Sequence, residues 1–117
     1  MAVDAAPILP FDLLTDGRGL VVHARFGGLN GALIDKVRPD CVAAPLVGNG
    51  FDALDVIQRL NAAGFCGILY VLTSPIPELA AIVSEIGAFG AAFDVVIAEI
   101  GDEGETKSLT PLPAPHP

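Results

Sequence analysis

Residues 38–74, RPDCVAAPLVGNGFDALDVIQRLNAAGFCGILYVLTS, contain the pattern that decides the fold of this 117-residue chain. Residues 41–47 and 67–72 are apolar runs bounded by turn residues, which is typical of strands that are covered on both faces of a parallel sheet. A helix is expected between them, because Asp52 can cap its start and Gly64 can end it in the left-handed conformation. The stretch therefore predicts one βαβ unit.

The chain before this unit predicts a hairpin and a helix. Residues 1–6 are expected to be a frayed end, and residues 7–14 and 20–26 flank the turn cluster TDGRG, which favours a β-hairpin. A helix is predicted over residues 31–38, because Asn30 can serve as its N-cap and Pro39 restricts the residue before it.

The chain after the unit predicts one more helix, one more strand and a tail. Ser74 can cap a helix with Pro75 in its first turn. The inward stripe of that helix is predicted to be Leu79, Ile82, Val83, Ile86 and Phe89. Residues 93–100 are apolar at nearly every position and predict the last strand. Residues 102–117 are acidic and then proline-rich, so we expect a domain over 1–101 and a flexible tail over 102–117.

Charge and hydropathy exclude several classes of partner. The formal net charge is -8, so the chain repels phosphate backbones, and no nucleic acid is expected as a partner. The mean hydropathy of +0.61 is high for a small domain, but no apolar stretch reaches membrane-spanning length without Gly, Pro or charge. The N-terminus lacks the basic region of a signal peptide. We therefore expect a cytoplasmic protein with no membrane partner.

The reactive side chains indicate no enzyme. Cys41 and Cys66 stand in or beside apolar runs, which favours two buried thiols over a disulfide or a metal site. His23 is the only histidine outside the tail, and no Ser, Cys or carboxylate is placed by sequence to make it a base. No Cys and His spacing is typical of a metal site. The sequence thus predicts no catalytic residue, no metal and no cofactor.

In residues 38–74, the chain resembles the receiver domains of two-component response regulators. In that family a Pro-Asp pair precedes four apolar residues and the phospho-accepting Asp. Here Pro39 and Asp40 stand before four apolar or small residues, and the accepting position holds Pro45. The other positions that match the family's loop and the hydroxyl that contacts the phosphoryl group are Asn49, Gly50, Asp52, Thr73 and Ser74.

Three parts of the receiver's chemistry are missing. The resemblance implies an acidic pair that binds Mg²⁺, and the only candidates, Asp12 and Asp16, are expected to be solvated turn residues. It also implies a Lys that closes the last strand, whereas the two lysines, Lys36 and Lys107, lie in a predicted helix and in the tail. Pro45 offers neither charge nor donor. Without a nucleophile, a metal and a cation, phosphoryl acceptance is not expected.

The resemblance implies an α/β fold that is flavodoxin-like and receiver-like, either three-layered or truncated to two layers. We expect a mostly parallel sheet of four to five strands with three helices, without the first and fifth receiver helices. The implied function is a phosphorylation-independent pseudo-receiver that docks an unidentified signalling protein in signal transduction or transcriptional regulation. The alternative is a flavodoxin-like protein that binds a small molecule or a nucleotide at the strand C-termini. Its site would be formed by Gly48, Asn49, Thr73 and Ser74.

The two missing helices also predict self-association. Receivers cover one sheet face with the first and fifth helices, so one face of this sheet is expected to be bare. The predicted strands are nevertheless apolar on both faces, so both faces need cover. We therefore expect a homodimer through the uncovered face. The residues assigned to that face are Val42, Ala44, Leu69, Val71, Val96 and Ala98.

Overall fold

The computed structural model describes residues 2–3, 23–24, 26–38, 41–48, 50–103 and 105–112. The strands are β1 (Ala2–Val3), β2 (His23–Ala24), β3 (Cys41–Pro45), β4 (Ile68–Thr73), β5 (Asp94–Ile100) and β6 (Thr106–Pro111). The α-helices are α1 (Gly31–Val37), α2 (Ala53–Ala62) and α3 (Leu79–Phe89), and a 3-10 turn, Phe26–Gly28, precedes α1.

The six strands form one open sheet in the order β2-β1-β3-β4-β5-β6. The first five strands pair in parallel, and β6 pairs with β5 in antiparallel. The α/β class is thus confirmed, but the sheet is mixed. The reversal between β5 and β6 is a tight turn, in which the amide of Gly101 donates to the carbonyl of Glu105 at 2.8 Å. A Cβ on Gly101 would meet only the flexible ends of the Glu105 and Lys107 side chains, which can move aside, so packing does not require a glycine at this position.

Two sequence predictions at the ends of the chain are wrong for the residues that the structure describes. Residues 106–111 are strand β6 and not part of a flexible tail. Ala2 and Val3, expected to be frayed, lie between β2 and β3 in the sheet. Most of the predicted hairpin over 7–14 and 20–26 lies outside the described residues. Within it, His23–Ala24 is a strand parallel to β1.

The predicted caps of α1 and α2 are confirmed. The Asn30 Oδ1 accepts from the Leu33 amide at 3.0 Å, and Arg38 ends α1 with a left-handed φ of 50°. At α2 the Asp52 carboxylate accepts from the Asp55 amide at 3.0 Å, while the Asp55 carboxylate accepts from the Asp52 amide at 2.9 Å. This reciprocal capping box satisfies two amides that the first helical turn leaves without a partner.

The predicted start of α3 at Ser74 and Pro75 is wrong, because the helix begins at Leu79. Pro75 and Pro77 each disfavour the helical conformation in the residue before them, so Ser74 and Ile76 stay outside the helix. In addition, the Ile76 amide donates to the Glu99 carboxylate at 3.1 Å, which fastens this segment to the end of β5. Phe89, predicted to face inward, is 45% exposed.

All three α-helices contribute to one core on one face of the sheet. Ile34 of α1, Ile57 of α2 and Ile86 of α3 belong to a single buried cluster. The strand residues in that cluster are Val42, Ala44, Leu69, Val71, Val95 and Ile97. We call this side the helix face. The opposite side, which we call the second face, has a separate cluster with no residue from a described helix. Its members are Cys41, Ala43, Ile68, Tyr70 and Leu72.

This arrangement corrects the residues assigned to the bare face. Val42, Ala44, Leu69 and Val71 are 0% exposed beneath the helices and cannot form a partner surface in this fold. Val96 lies opposite Tyr70, and Ala98 lies opposite Leu72, so these two belong to the second face. The assigned set therefore combined residues from both faces.

Two further findings concern predictions on thiols and membranes. Cys41 is buried as expected, but Cys66 is exposed, because it lies in the loop between α2 and β4 and outside the strand. The side chain of His23 lies outside what the structure describes. None of the described helices has the length and hydropathy that crossing a membrane requires.

Candidate functional site

The carboxyl ends of β3, β4 and β5 meet at one edge of the sheet, and this edge is the first candidate site. Pro45 ends β3 beside Leu72, and Thr73 ends β4 directly beside Glu99 of β5. Open α/β sheets bind ligands at such an edge. Several of the predicted site residues are thus brought together. Pro39, Asp40 and Asn49 lie outside the described residues.

The loop after β3 is a compact turn. The Leu46 amide donates to the Leu72 carbonyl at 2.8 Å, and the Gly48 amide donates to the Phe51 carbonyl at 2.9 Å. The buried Phe51 ring lies so close to Gly48 that any Cβ there would clash with it. Gly50 has a φ of 86°, which favours glycine. Packing and backbone conformation therefore account for both glycines without a ligand.

Two polar side chains of the predicted site, Asp52 and Thr73, form local contacts. Asp52 is the N-cap of α2, as described above. The Thr73 Oγ1 donates to the Ser74 carbonyl at 3.0 Å, which is a contact with its own neighbour. Ser74 itself is exposed. The Asp52 and Thr73 side chains therefore stabilise the turns that carry them.

Glu99 is the polar residue at this edge that sequence reasoning missed. Its Oε1 accepts from the Ser108 hydroxyl at 2.6 Å, and its Oε2 accepts from the Ile76 amide at 3.1 Å. The carboxylate therefore joins three segments, namely β5, β6 and the residues before α3. The sequence signal for Glu99 was an acidic residue that follows the apolar run in the strand DVVIAEI. The signal was weak, because the same strand also begins with an acidic residue.

The charges at this edge are unfavourable for phosphate. The described cations are Lys36, Arg38, Arg59 and Lys107. Lys36 and Arg38 lie at the end of α1 that leads into the start of β3, so they are at the opposite edge. The Arg59 guanidinium donates to the Leu29 carbonyl at 3.1 Å. Thr73 has the acidic residue Glu99 beside it on β5.

Lys107 forms an ion pair within the β5–β6 region. Its Nζ lies 3.2 Å from Glu105 Oε1, and both side chains are about half exposed. The pKa of Glu105 is below its ordinary value, first because its own backbone amide donates to the carboxylate and second because Lys107 does. Among the residues that the structure describes, no group of three or more His, Cys, Asp or Glu side chains is arranged to hold a metal ion.

The second candidate site is an apolar surface on the second face of the sheet. Leu109 of β6 lies directly opposite Ala98, so its side chain is on this face, and it is 46% exposed. Ala43 and Ala98 are buried, whereas the larger side chains around them are only half-buried. We define the second-face patch as Ile68, Tyr70, Leu72, Val96 and Leu109. No residue of a described helix packs against its β4 side chains.

The comparisons with known proteins give no relative. No protein-family model, no characterised protein and no solved structure matches this chain.

Proposed function

We propose that this chain is a receiver-like domain of flavodoxin-like topology that acts as a phosphorylation-independent protein-interaction module in signalling or regulation. Its first partner is a second copy of itself. Two features support the proposal. The order β2-β1-β3-β4-β5 is that of flavodoxin-like sheets, with β6 added at the edge. The carboxyl edge has Pro45 and Glu99 in place of an acceptor and a cation.

The observation that carries this proposal is the second-face patch. A parallel sheet normally has both faces covered, and here every α-helix of the described residues packs on the helix face. The patch consists of large apolar side chains on three adjacent strands, and Leu109 at its edge is 46% exposed. Ile68, Tyr70, Leu72 and Val96 are half-buried, so the patch is a contiguous, partly exposed apolar surface. On a small domain such a surface is typical of an interaction site.

The size of the face indicates which class of interface it can form. Strands β3 to β6 span about 20 Å across the sheet, and six residues extend about 20 Å along it. Two such faces, each of about 400 Å², would bury on the order of 800 Å² in total, which is below the range of about 1,200–2,000 Å² for standard interfaces and in the class of weak, transient contacts. At about 25 cal/mol per Å², apolar burial on this scale exceeds the cost of association by a modest margin. The dimer is therefore expected to dissociate in the micromolar range.

The alternative function, binding of a small molecule or nucleotide, is less well supported by the same edge. The Gly48 position is filled by the Phe51 ring, and the Thr73 hydroxyl donates to a backbone carbonyl. Glu99 adds negative charge where a phosphate would bind. No described residue at this edge favours that function, so we adopt the interaction module.

Substitutions at two apolar residues with nearly equal exposure test the proposal. Leu109 and Phe89 are 46% and 45% exposed, but Leu109 is in the second-face patch and Phe89 ends α3 on the helix face. In size-exclusion chromatography with light scattering, the wild type and Phe89→Glu should be dimers at the same concentrations. Leu109→Glu should be a monomer. A monomeric wild type at high micromolar concentration, or equal dissociation by both variants, would contradict the proposal.

A further inference from the structure

A groove between α2 and α3 on the helix face forms a second apolar surface. Its walls are Leu54 of α2 and Ile82 of α3, and Val47 stands at its rim. The groove is partly open to solvent and has a volume of about 140 Å³. A cavity of about 150 Å³ holds a benzene molecule, so the groove can take a single apolar side chain. The groove lies on the opposite side of the sheet from the second-face patch.

Val47 lies in a turn whose backbone is held by hydrogen bonds. It pairs with Asp52 through an isolated antiparallel bridge, and the Ala53 amide donates to the Leu46 carbonyl at 2.9 Å beside it. The turn thus fixes the backbone at Val47, yet this apolar side chain is 75% exposed. Val47 is the most exposed large apolar side chain in the described part of the chain. The exposure is therefore a fixed feature of the turn.

The charges on the groove have one sign. Asp52 and Glu85 line it, and no Lys or Arg does so among the described residues. Glu85 forms no ion pair or hydrogen bond with any side chain that the structure describes. The whole chain has a formal net charge of -8, which adds a long-range attraction for cations. An occupant that matches both the groove and its rim has an apolar side chain flanked by basic residues.

We propose that the groove between α2 and α3 binds a basic segment of a partner protein. One apolar side chain of the partner enters the groove beside Val47, Leu54 and Ile82. Lys or Arg residues on either side of it pair with Glu85 and with the Asp52 carboxylate oxygen that does not cap α2. Apolar anchoring with complementary charges at the rim is the usual construction of such interfaces. This inference rests on the proposed function, since it names the chemistry of the partner that the module docks.

A labelled peptide tests the inference on the full-length chain. The probe is a fluorescein-labelled peptide with one leucine flanked on each side by two lysines. Its affinity is measured by fluorescence anisotropy, and its position is mapped by backbone amide shifts in NMR. We expect shifts at Val47, Leu54 and Ile82. Replacing the leucine by alanine, or the lysines by glutamates, should weaken binding about tenfold or more, as the loss of about 1.4 kcal/mol does.

A charge-matched pair of variants separates the groove from general electrostatics. Glu85→Lys and Asp102→Lys change the net charge equally, but Asp102 is an exposed turn residue after β5. Glu85→Lys should weaken the peptide about tenfold, and Asp102→Lys less than about twofold. Equal weakening by both, shifts confined to the second-face patch, or no binding at millimolar peptide would each overturn the inference. None of these results would change the light-scattering test, so failure of the groove and failure of the dimer are distinguishable.

Discussion

The carboxylate of Glu99 joins three segments, and removing it should destabilise the fold. Glu99→Ala eliminates the bond from the Ser108 hydroxyl at 2.6 Å and the bond from the Ile76 amide at 3.1 Å. Hydrogen bonds to charged groups contribute about 1.5–3 kcal/mol each. Both are only partly buried, so solvent reduces each to the low end of that range. We expect a loss of about 2–3 kcal/mol from a typical total of about 5–15 kcal/mol.

Three further variants separate the contributions of the two hydrogen bonds and provide a control. Ser108→Ala removes one of the two bonds and should cost about 1 kcal/mol. The double variant Glu99→Ala with Ser108→Ala should cost less than the sum of the two, because the bond between them is lost once. The matched control is Glu85→Ala, an exposed change of the same chemical kind, which should stay within about 0.5 kcal/mol of the wild type.

Equilibrium unfolding in urea measures these differences. All variants are compared at one protein concentration, since association with a second copy stabilises the folded state by mass action. The midpoint should shift while the slope stays constant, which identifies a change in stability alone. Should Glu99→Ala unfold at the same midpoint as Glu85→Ala, Glu99 would not be fastening the three segments, and the reasoning on this edge would be refuted.

Three other predictions follow from single contacts. Gly48→Ala places a Cβ against the Phe51 ring and should cost about 1–3 kcal/mol by overpacking, measured by thermal unfolding; an unchanged midpoint would show that the turn relaxes freely. Thr106→Val should be neutral or stabilising in the same assay, because the Thr106 Oγ1 is buried and has no hydrogen-bond partner in the structure; a loss above about 1 kcal/mol would indicate a partner. Pro45→Asp should not accept a phosphoryl group from acetyl phosphate with Mg²⁺, because it restores only the nucleophile; a stable phosphoryl adduct in intact-protein mass spectrometry would show that the edge needs no further change.

The βαβ unit could be predicted from sequence because its signals are local. Apolar runs mark β3 and β4, and the Asp52 cap and the Gly64 stop are each read from a few adjacent residues. The structure places the two strands side by side, and Gly64 has a φ of 75°. The start of α3 at Leu79 also has a local cause. Pro75 and Pro77 each disfavour the helical conformation in the residue before them, and this effect outweighs the capping tendency of Ser74.

The remaining features depend on contacts between distant residues. Strand β6 was not predicted because an edge strand of alternating polar residues lacks an apolar run. Its strand conformation depends on pairing with β5, which the local sequence does not indicate. Glu99 was missed for the same reason, since its partner Ser108 is in that strand. The faces were misassigned because each strand's alternation is visible in sequence, whereas the register that aligns Val42 with Leu69 and Leu69 with Val95 is not.

Sedimentation equilibrium of the wild type, untreated and treated with acetyl phosphate and Mg²⁺, is the most direct test of a phosphorylation-independent interaction module. The account predicts a monomer–dimer equilibrium with a micromolar dissociation constant that is the same in both samples. It predicts this because the second-face patch forms the contact and the carboxyl edge takes no phosphoryl group. A monomer at all concentrations, or a dissociation constant that changes on treatment, would contradict it.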